Sequence, residues 1–274
     1  MRTATGPIRR VLARAKWRLV RAWYTRSGAH TVSAGDAEAR IHTGNDYSIS
    51  ELLYFEANES RVAERLVDRI RPNDVVYDVG ANVGIYTALA ADVLDGGEVI
   101  SFEPFPPNLE TLENNVALAG GNVRVLELAL TDETGRVGFT SPTGRRDGYG
   151  IASMANGNSG GFSVAATSVD ALVNEGEVPA PNVVKNEGEV PAPNVVKIDV
   201  EGAEGRVLNG MEAVLAGDTV RCVLCEIHWP SDHRRSLEEF GDSKPEIESF
   251  LRSHGFAVST VEEGRHEAYV FAEA

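Results

Sequence analysis

Apolar positions recur every three or four residues across residues 7–25, where Ile8, Leu12, Ala15, Leu19 and Trp23 share a face and arginines cover the rest. That period predicts an amphipathic helix. A second helix is predicted from about residue 58 to 70, stopped by Pro72. From Asp74 the period changes. Val/Ile/Leu runs at 75–79, 99–102, 123–128 and 195–199 alternate with helical patterns at 85–94, 106–119 and 204–215, and another run follows at 222–228. Continuous apolar strands separated by helices predict a parallel sheet buried on both faces. Residues 137–140 and 163–167 are expected to pair, flanking a Gly/Ser/Asn-rich loop over 141–161 long enough to be functional or disordered. Ser168 should cap a short helix to residue 173. A last helix over 245–254, ended by Gly255, leads to a closing antiparallel pair at 257–261 and 268–271.

One stretch has no place in this alternation. Residues 174–185 and 186–197 both read NEGEVPAPNVVK. Two copies of twelve residues are too few and too short for a solenoid. Only the second runs into the strand at 195–199, so Val183-Val184-Lys185 of the first is expected to be extruded as a loop.

The 274 residues, 42% hydrophobic, suffice for one large α/β domain with a real core. No run of about 18 uncharged apolar residues predicts a transmembrane helix, and arginines interrupt the N-terminal segment where a secretory signal would be apolar. The net charge of −15 is unevenly placed. Residues 1–35 carry eight basic side chains and no acidic one, leaving 18 basic against 41 acidic in the remainder. An acidic body argues against nucleic acid as the main partner, unless the basic arm alone supplies the contacts. The basic helix at 7–25 suits peripheral contact with an anionic membrane, with Trp17, Leu19 and Trp23 inserted, or else simple packing on the domain. Four lysines against 22 arginines on an acidic surface suit solubility in concentrated salt. Cys222 and Cys225, three apart on a strand, point to opposite faces and read as core thiols.

The chemistry concentrates at strand ends. Asp78-Val79-Gly80-Ala81-Asn82-Val83-Gly84 sits where the first strand meets a helix, and glycines there allow a tight turn and close approach to a ligand. Gly80 and Gly84 are four apart, unlike G-x-G-x-x-G, which disfavors a nicotinamide oxidoreductase. Glu103 ends the second strand, placed to accept the hydroxyls of a ribose. A nucleoside without a pyrophosphate points to S-adenosylmethionine. Lys197-Ile198-Asp199-Val200-Glu201-Gly202-Ala203-Glu204 brings Asp199 and Glu201 to the carboxyl end of the fourth strand, beside the transferable methyl, while Glu204 favours the following helix N-terminus. Methylating a hydroxyl needs a general base, for which Asp199 and His228 are the candidates, with Glu226 near. Asp199 and Glu226 leave a metal open, but no ligand set has convincing spacing, so no metal ligands are assigned.

The runs VVYDVGANVG, FEPFPPN, KIDVEGAE and CEIH together resemble the FkbM family of S-adenosylmethionine-dependent methyltransferases, from about residue 50 to the C-terminus. The resemblance implies a Rossmann-like class I α/β fold, a seven-stranded mostly parallel sheet of order 3-2-1-4-5-7-6 with helices on both faces. The implied organisation is a basic arm over 1–35 and a methyltransferase domain over 50–274, interrupted by the duplication at 174–197. Asp78, Gly80, Asn82 and Gly84 are then expected around the methionine part of the cofactor and Glu103 on its ribose. Asn108 is read as helix support, and the segment ending in Asp132 as bordering the adenine. The implied activity is O-methylation of a saccharide, glycan or other secondary metabolite in the cytoplasm, possible also at the inner membrane face. The rivals are a non-catalytic adaptor of the same fold at a membrane surface, and an NAD-dependent oxidoreductase.

Overall fold

The computed structural model describes residues 7–140, 153–154, 161–175, 190–229, 236–264 and 267–274. The chain enters through α1 (Pro7–Ser27), then β1 (Ala29–Ala34) and β2 (Ala37–His42), an antiparallel hairpin closed by Gly35-Asp36. β2 alternates strictly, with Ala37, Ala39 and Ile41 buried, and it packs on the helices α4 (Ile85–Val93) and α5 (Pro106–Ala119). The hairpin, whose first strand falls within the arm expected over 1–35, thus packs on the helices of the domain. Alanine at most inward positions made its period of two too weak to read.

α2 (Asp46–Tyr54) begins twelve residues before the helix expected at 58. Its N-cap Asn45 accepts the Ser48 N–H at 2.8 Å. A π-helical turn (Phe55–Glu59) joins α2 to α3 (Ser60–Val67), and its wider turn breaks the 3.6-residue period on which the prediction relied.

The central sheet uses β3 (Val75–Val79), β4 (Glu98–Phe102), β5 (Val123–Leu126), β10 (Val195–Ile198), β11 (Cys222–His228), β12 (Ala257–Glu263) and β13 (Glu267–Glu273). Its spatial order is β12-β13-β11-β10-β3-β4-β5. Counted along the chain within this sheet, that is 3-2-1-4-5-7-6. The five strands from β11 to β5 are parallel; β13 is antiparallel to β11 and β12. A small sheet of β6 (Ala129–Leu130), β7 (Gly135–Thr140), β8 (Ser153–Met154) and β9 (Phe162–Thr167) lies beside it, with β7 and β9 antiparallel as expected.

Alternate strand residues feed opposite faces. Tyr77, Val79, Ile100, Phe102, Ile198 and Cys225 pack with the helices that follow β9 and β10: α6 (Val169–Glu175), α7 (Glu204–Asn209) and α8 (Glu212–Leu215), with α10 (Lys244–Ser253) alongside. Val76, Val99, Val195 and Cys222 pack with α3 and α4. Fully burying one such side chain contributes about 1.5–3 kcal/mol, so two covered faces fix the strand ends relative to one another. Both thiols are free and buried, one on each face. The helix expected over 204–215 is split at Gly210-Met211 into α7 and α8, and a short α9 (Leu237–Phe240) precedes α10. The fate of the first repeat copy, Val183–Lys185, and most of the loop over 141–161 lie outside the described residues.

Candidate active site

Every strand from β11 to β5 ends on the same edge of the sheet. The turn after β3 is held by three residues in the left-handed region: Gly80 (φ 76°), Asn82 (φ 52°) and Gly84 (φ 83°). A Cβ on Gly80 would overlap the carbonyl oxygen of Asp199, and one on Gly84 would overlap the side chain of Leu112, so both positions require glycine on two grounds. Asn82 is the non-glycine type best suited to that backbone. Its N–H donates to Glu103 Oε2 at 2.8 Å, its Oδ1 accepts from the Tyr47 hydroxyl at 2.8 Å and its Nδ2 donates to Glu51 Oε2 at 2.9 Å.

Glu103 is buried just beyond β4. Its second oxygen accepts the Phe105 N–H at 2.8 Å, and Asn108 bonds to the same carboxylate. Burial raises its pKa to about 7, against the pull of those three hydrogen bonds. Glu103, Gly80, Asn82 and Asn108 form one wall of a cleft of about 630 Å³. Leu128, Leu130, Phe139 and Met154 give it an apolar lining, and Asp199 and Glu201 also border it. Among the described residues, the buried Oδ1 of Asn108 has no hydrogen-bond partner. Asn108 is thus a wall of the cleft, and not only a support for α5.

Asp132 and Asp78 stand differently from the cofactor roles expected of them. Asp132 accepts from Arg206 Nε at 2.7 Å, which overcomes burial and lowers its pKa, and it does not line the cleft. Leu128, Ala129 and Leu130 of the same segment do. Asp78 is buried one layer below: Thr87 Oγ1 donates to it at 2.6 Å, and Lys197 Nζ lies 3.4 Å away. Gly84 likewise shapes the turn without reaching the cleft. Lys197, register partner of Asp78, donates to the Gly80 carbonyl at 3.0 Å and lies 3.5 Å from Asp199 Oδ2. Burial alone would pull the lysine pKa down, but Asp78, Asp199, Glu226 and Glu59 raise it and keep the ammonium protonated.

Asp199 also borders a second cavity of about 360 Å³, lined by Glu51, Phe55, Glu59, Asn82, Tyr86 and Lys197. Beside it, β10 and β11 bring three candidate residues together. Asp199, Glu226 and His228 each offer a donor atom within 4.8 Å of the others. His228 Nδ1 lies 3.1 Å from the buried Glu204 Oε1, and Nε2 faces Glu226, Glu201 and Asp199 at 3.3, 3.7 and 3.8 Å. Burial opposes charge on this imidazole, but Glu201, Glu204 and Glu226 outweigh it and push the pKa well up. Burial and Asp199 raise that of Glu226. Glu201 itself has φ 54°, a strained backbone for its type costing about 1–3 kcal/mol.

Sequence reasoning passed over Tyr47, Glu51, Glu59 and Lys197. Lys197 carried a signal, a charged residue inside an apolar strand and two before Asp199, so on the same face. The other three come from the unpredicted α2 and π turn.

A family model described as the methyltransferase FkbM domain matches residues 78–258. Hexuronic acid methyltransferase AglP of Haloferax volcanii is 30% identical over 203 residues, 73% of this chain and 76% of that protein. The 31-O-demethyl-FK506 methyltransferase FkbM of Streptomyces tacrolimicus is 30% identical over 242 residues, 82% of this chain and 86% of that one. Among solved structures, a methyltransferase FkbM from Methylobacillus flagellatus KT has a TM-score of 0.46 at 17% identity, covering 83% of this chain and 55% of that one.

Proposed function

The chain belongs to the FkbM-domain methyltransferases, and from that premise we propose that it methylates a hydroxyl of a saccharide or other secondary metabolite, using S-adenosylmethionine. The cofactor supplies an electrophilic methyl group on a sulfonium. The residues fit it: Gly80 leaves room for close backbone approach, Glu103 can accept ribose hydroxyls, and the unpartnered Asn108 Oδ1 offers an acceptor beside them. The apolar lining from Leu128, Leu130, Phe139 and Met154 suits a base. Oxygen as the acceptor atom is supported by the relatives' names, one a hexuronic acid methyltransferase and the other acting on an O-demethyl compound.

The observation that carries the reading is the position of Asp199, which borders both the cofactor cleft and the second cavity. A hydroxyl in the second cavity would meet the methyl beside this carboxylate, which orients it and takes its proton. Lys197 holds Asp199 and the Gly80 carbonyl together from below. Glu226 and His228 stand behind Asp199 and set its field. The test is transfer of labelled methyl from S-adenosylmethionine to hexuronic acids and glycans. Asp199→Asn should cut turnover by ~100-fold or more at saturating cofactor; an unchanged rate would remove Asp199 from the chemistry.

We also propose that the reaction takes place in the cytoplasm with α1 resting on an anionic membrane. Leu19 and Trp23 are 74% and 61% exposed on that helix, beside Arg18 and Arg26, whereas Trp17 packs on the domain and is not free to insert. Among the described residues no helix is long and apolar enough to cross a membrane. Leu19→Glu with Trp23→Glu should abolish sedimentation with anionic liposomes; no sedimentation of the unaltered chain would refute the contact.

A further inference from the structure

We propose that Asp199, Glu226 and His228 form a divalent-cation site, and that the cation holds an acceptor presenting two adjacent oxygens, a vicinal diol or a hydroxyl beside a carboxylate. The acceptor part rests on the methyltransferase reading; the cation site stands on the geometry of the three residues.

An octahedral cation with ligand distances of about 2.1 Å sets its donor atoms about 3.0 Å apart when adjacent and about 4.2 Å when opposite. The three donors already lie within 4.8 Å of one another, with His228 Nε2 3.3 Å from Glu226 Oε1 and 3.8 Å from Asp199 Oδ1. Closing on a cation needs side-chain movements and no shift of the strands. The backbone is already fixed: Asp199 and Glu226 lie one step beyond the paired Ile198 and Cys225, and His228 follows two residues later on the same face.

The imidazole supplies the second observation. His228 is 1% exposed, and among the described residues its Nε2 has no hydrogen-bond partner although it faces the carboxylates. Its Nδ1 is engaged by Glu204, itself fully buried and fixed by the Gly202 N–H at 2.9 Å. A carboxylate behind one ring nitrogen with the other aimed at a cluster of oxygens is the arrangement that orients a metal-bound histidine. It also gives Glu204 a purpose beyond favouring a helix N-terminus.

Ligand type and access narrow the occupant. One imidazole nitrogen among carboxylate oxygens suits Mn²⁺ and its neighbours better than Ca²⁺ or Mg²⁺, which prefer all-oxygen shells. His228 and Glu226 are buried, while the Asp199 side chain is 26% exposed, so the open coordination positions face the cavities. Among the described residues, Glu51, Glu59, Asp199, Glu201 and Glu226 stand around that space with Lys197 and His228. A divalent ion there adds positive charge that an anionic acceptor can meet.

The experiment is a Mn²⁺ titration of the full chain, freed of metal by a chelator and followed by the electron paramagnetic resonance of free Mn²⁺, with S-adenosylhomocysteine binding measured calorimetrically on the same samples. One Mn²⁺ should bind per chain. Glu226→Gln and His228→Gln should lose it, while Glu204→Gln, altering only the group behind the histidine, should weaken it ~10–100-fold; all three should still bind S-adenosylhomocysteine. Persistence of the full free-ion signal, or binding unaffected by these substitutions, would overturn the site. Mn²⁺ binding without S-adenosylhomocysteine binding would instead sink the methyltransferase reading. Glucuronate should displace water from the bound ion and lower its proton relaxivity, whereas a simple monohydric alcohol should not. Equal responses to both would overturn the chelated acceptor.

Discussion

Glu103 couples cofactor affinity to pH in a calculable way. Its carboxylate is the expected partner of the ribose hydroxyls, and burial raises its pKa to about 7. If only the ionised form accepts those hydroxyls, the affinity for S-adenosylhomocysteine is near its plateau at about pH 8 and falls roughly ten-fold by about pH 6, or about 1.4 kcal/mol. Folding stability runs the other way. The folded state holds this proton more tightly than the unfolded chain, whose ordinary value is 4.5. The stabilisation is fully present below that value and is lost as pH rises through about 7, amounting to about 3 kcal/mol. Glu103→Gln removes the titration from both curves. It also leaves one of the N–H groups of Asn82 and Phe105 facing an amide NH₂, which costs about 1–3 kcal/mol. Calorimetric titrations from about pH 6 to about pH 8, with thermal melts of the free protein alongside, separate the two effects. An affinity constant to within two-fold across that window in the unaltered chain would refute the assignment of Glu103, as would an unchanged slope in the Gln variant.

Gly80→Ala forces a Cβ onto the Asp199 carbonyl at a positive φ, and should lower stability by about 2–4 kcal/mol and abolish S-adenosylhomocysteine binding; a melt within a degree of the parent would contradict the packing. Lys197→Met strands the buried Asp78 carboxylate and should cost about 3–5 kcal/mol in urea unfolding, partly recovered by adding Asp78→Asn. Asp132→Asn should leave cofactor affinity within about two-fold, because its partner is Arg206 and not the cleft, while a drop of about ten-fold would restore it to the binding site.

What could be read from the sequence follows how each element is stabilised. β3, β4, β10 and β11 are buried on both faces, so they appear as unbroken apolar runs with boundaries correct to within a residue or so. The glycine turn and the acids at the strand ends were legible because positive φ and strand-end position restrict residue type. The β1–β2 hairpin was not, since alanines carry its inward face and only Gly35-Asp36 marked it. Nor was the π turn, whose stability comes from packing on Tyr86 and α4 and not from any periodic pattern. Asp199, Glu226 and His228 were each singled out, but ligand spacing along the chain could not reveal a cluster assembled across two adjacent strands. Asp78 was assigned to the cofactor by its place in the motif, and only its register with Lys197 shows it supporting the turn from beneath.

Gly80 rests on the Asp199 carbonyl, so on the proposed roles the donor's seat and the acceptor's anchor form a single rigid joint, with no slack that a change in one could take up without disturbing the other. On the proposed reading, divergence toward new acceptors must then use parts that line the second cavity and not the cofactor cleft. Phe55 and Glu59 are such parts, carried on a helical turn that already accommodates an extra residue. A lineage, or an engineer, could exchange that turn as a cartridge while the methyl-delivering half stays as it is.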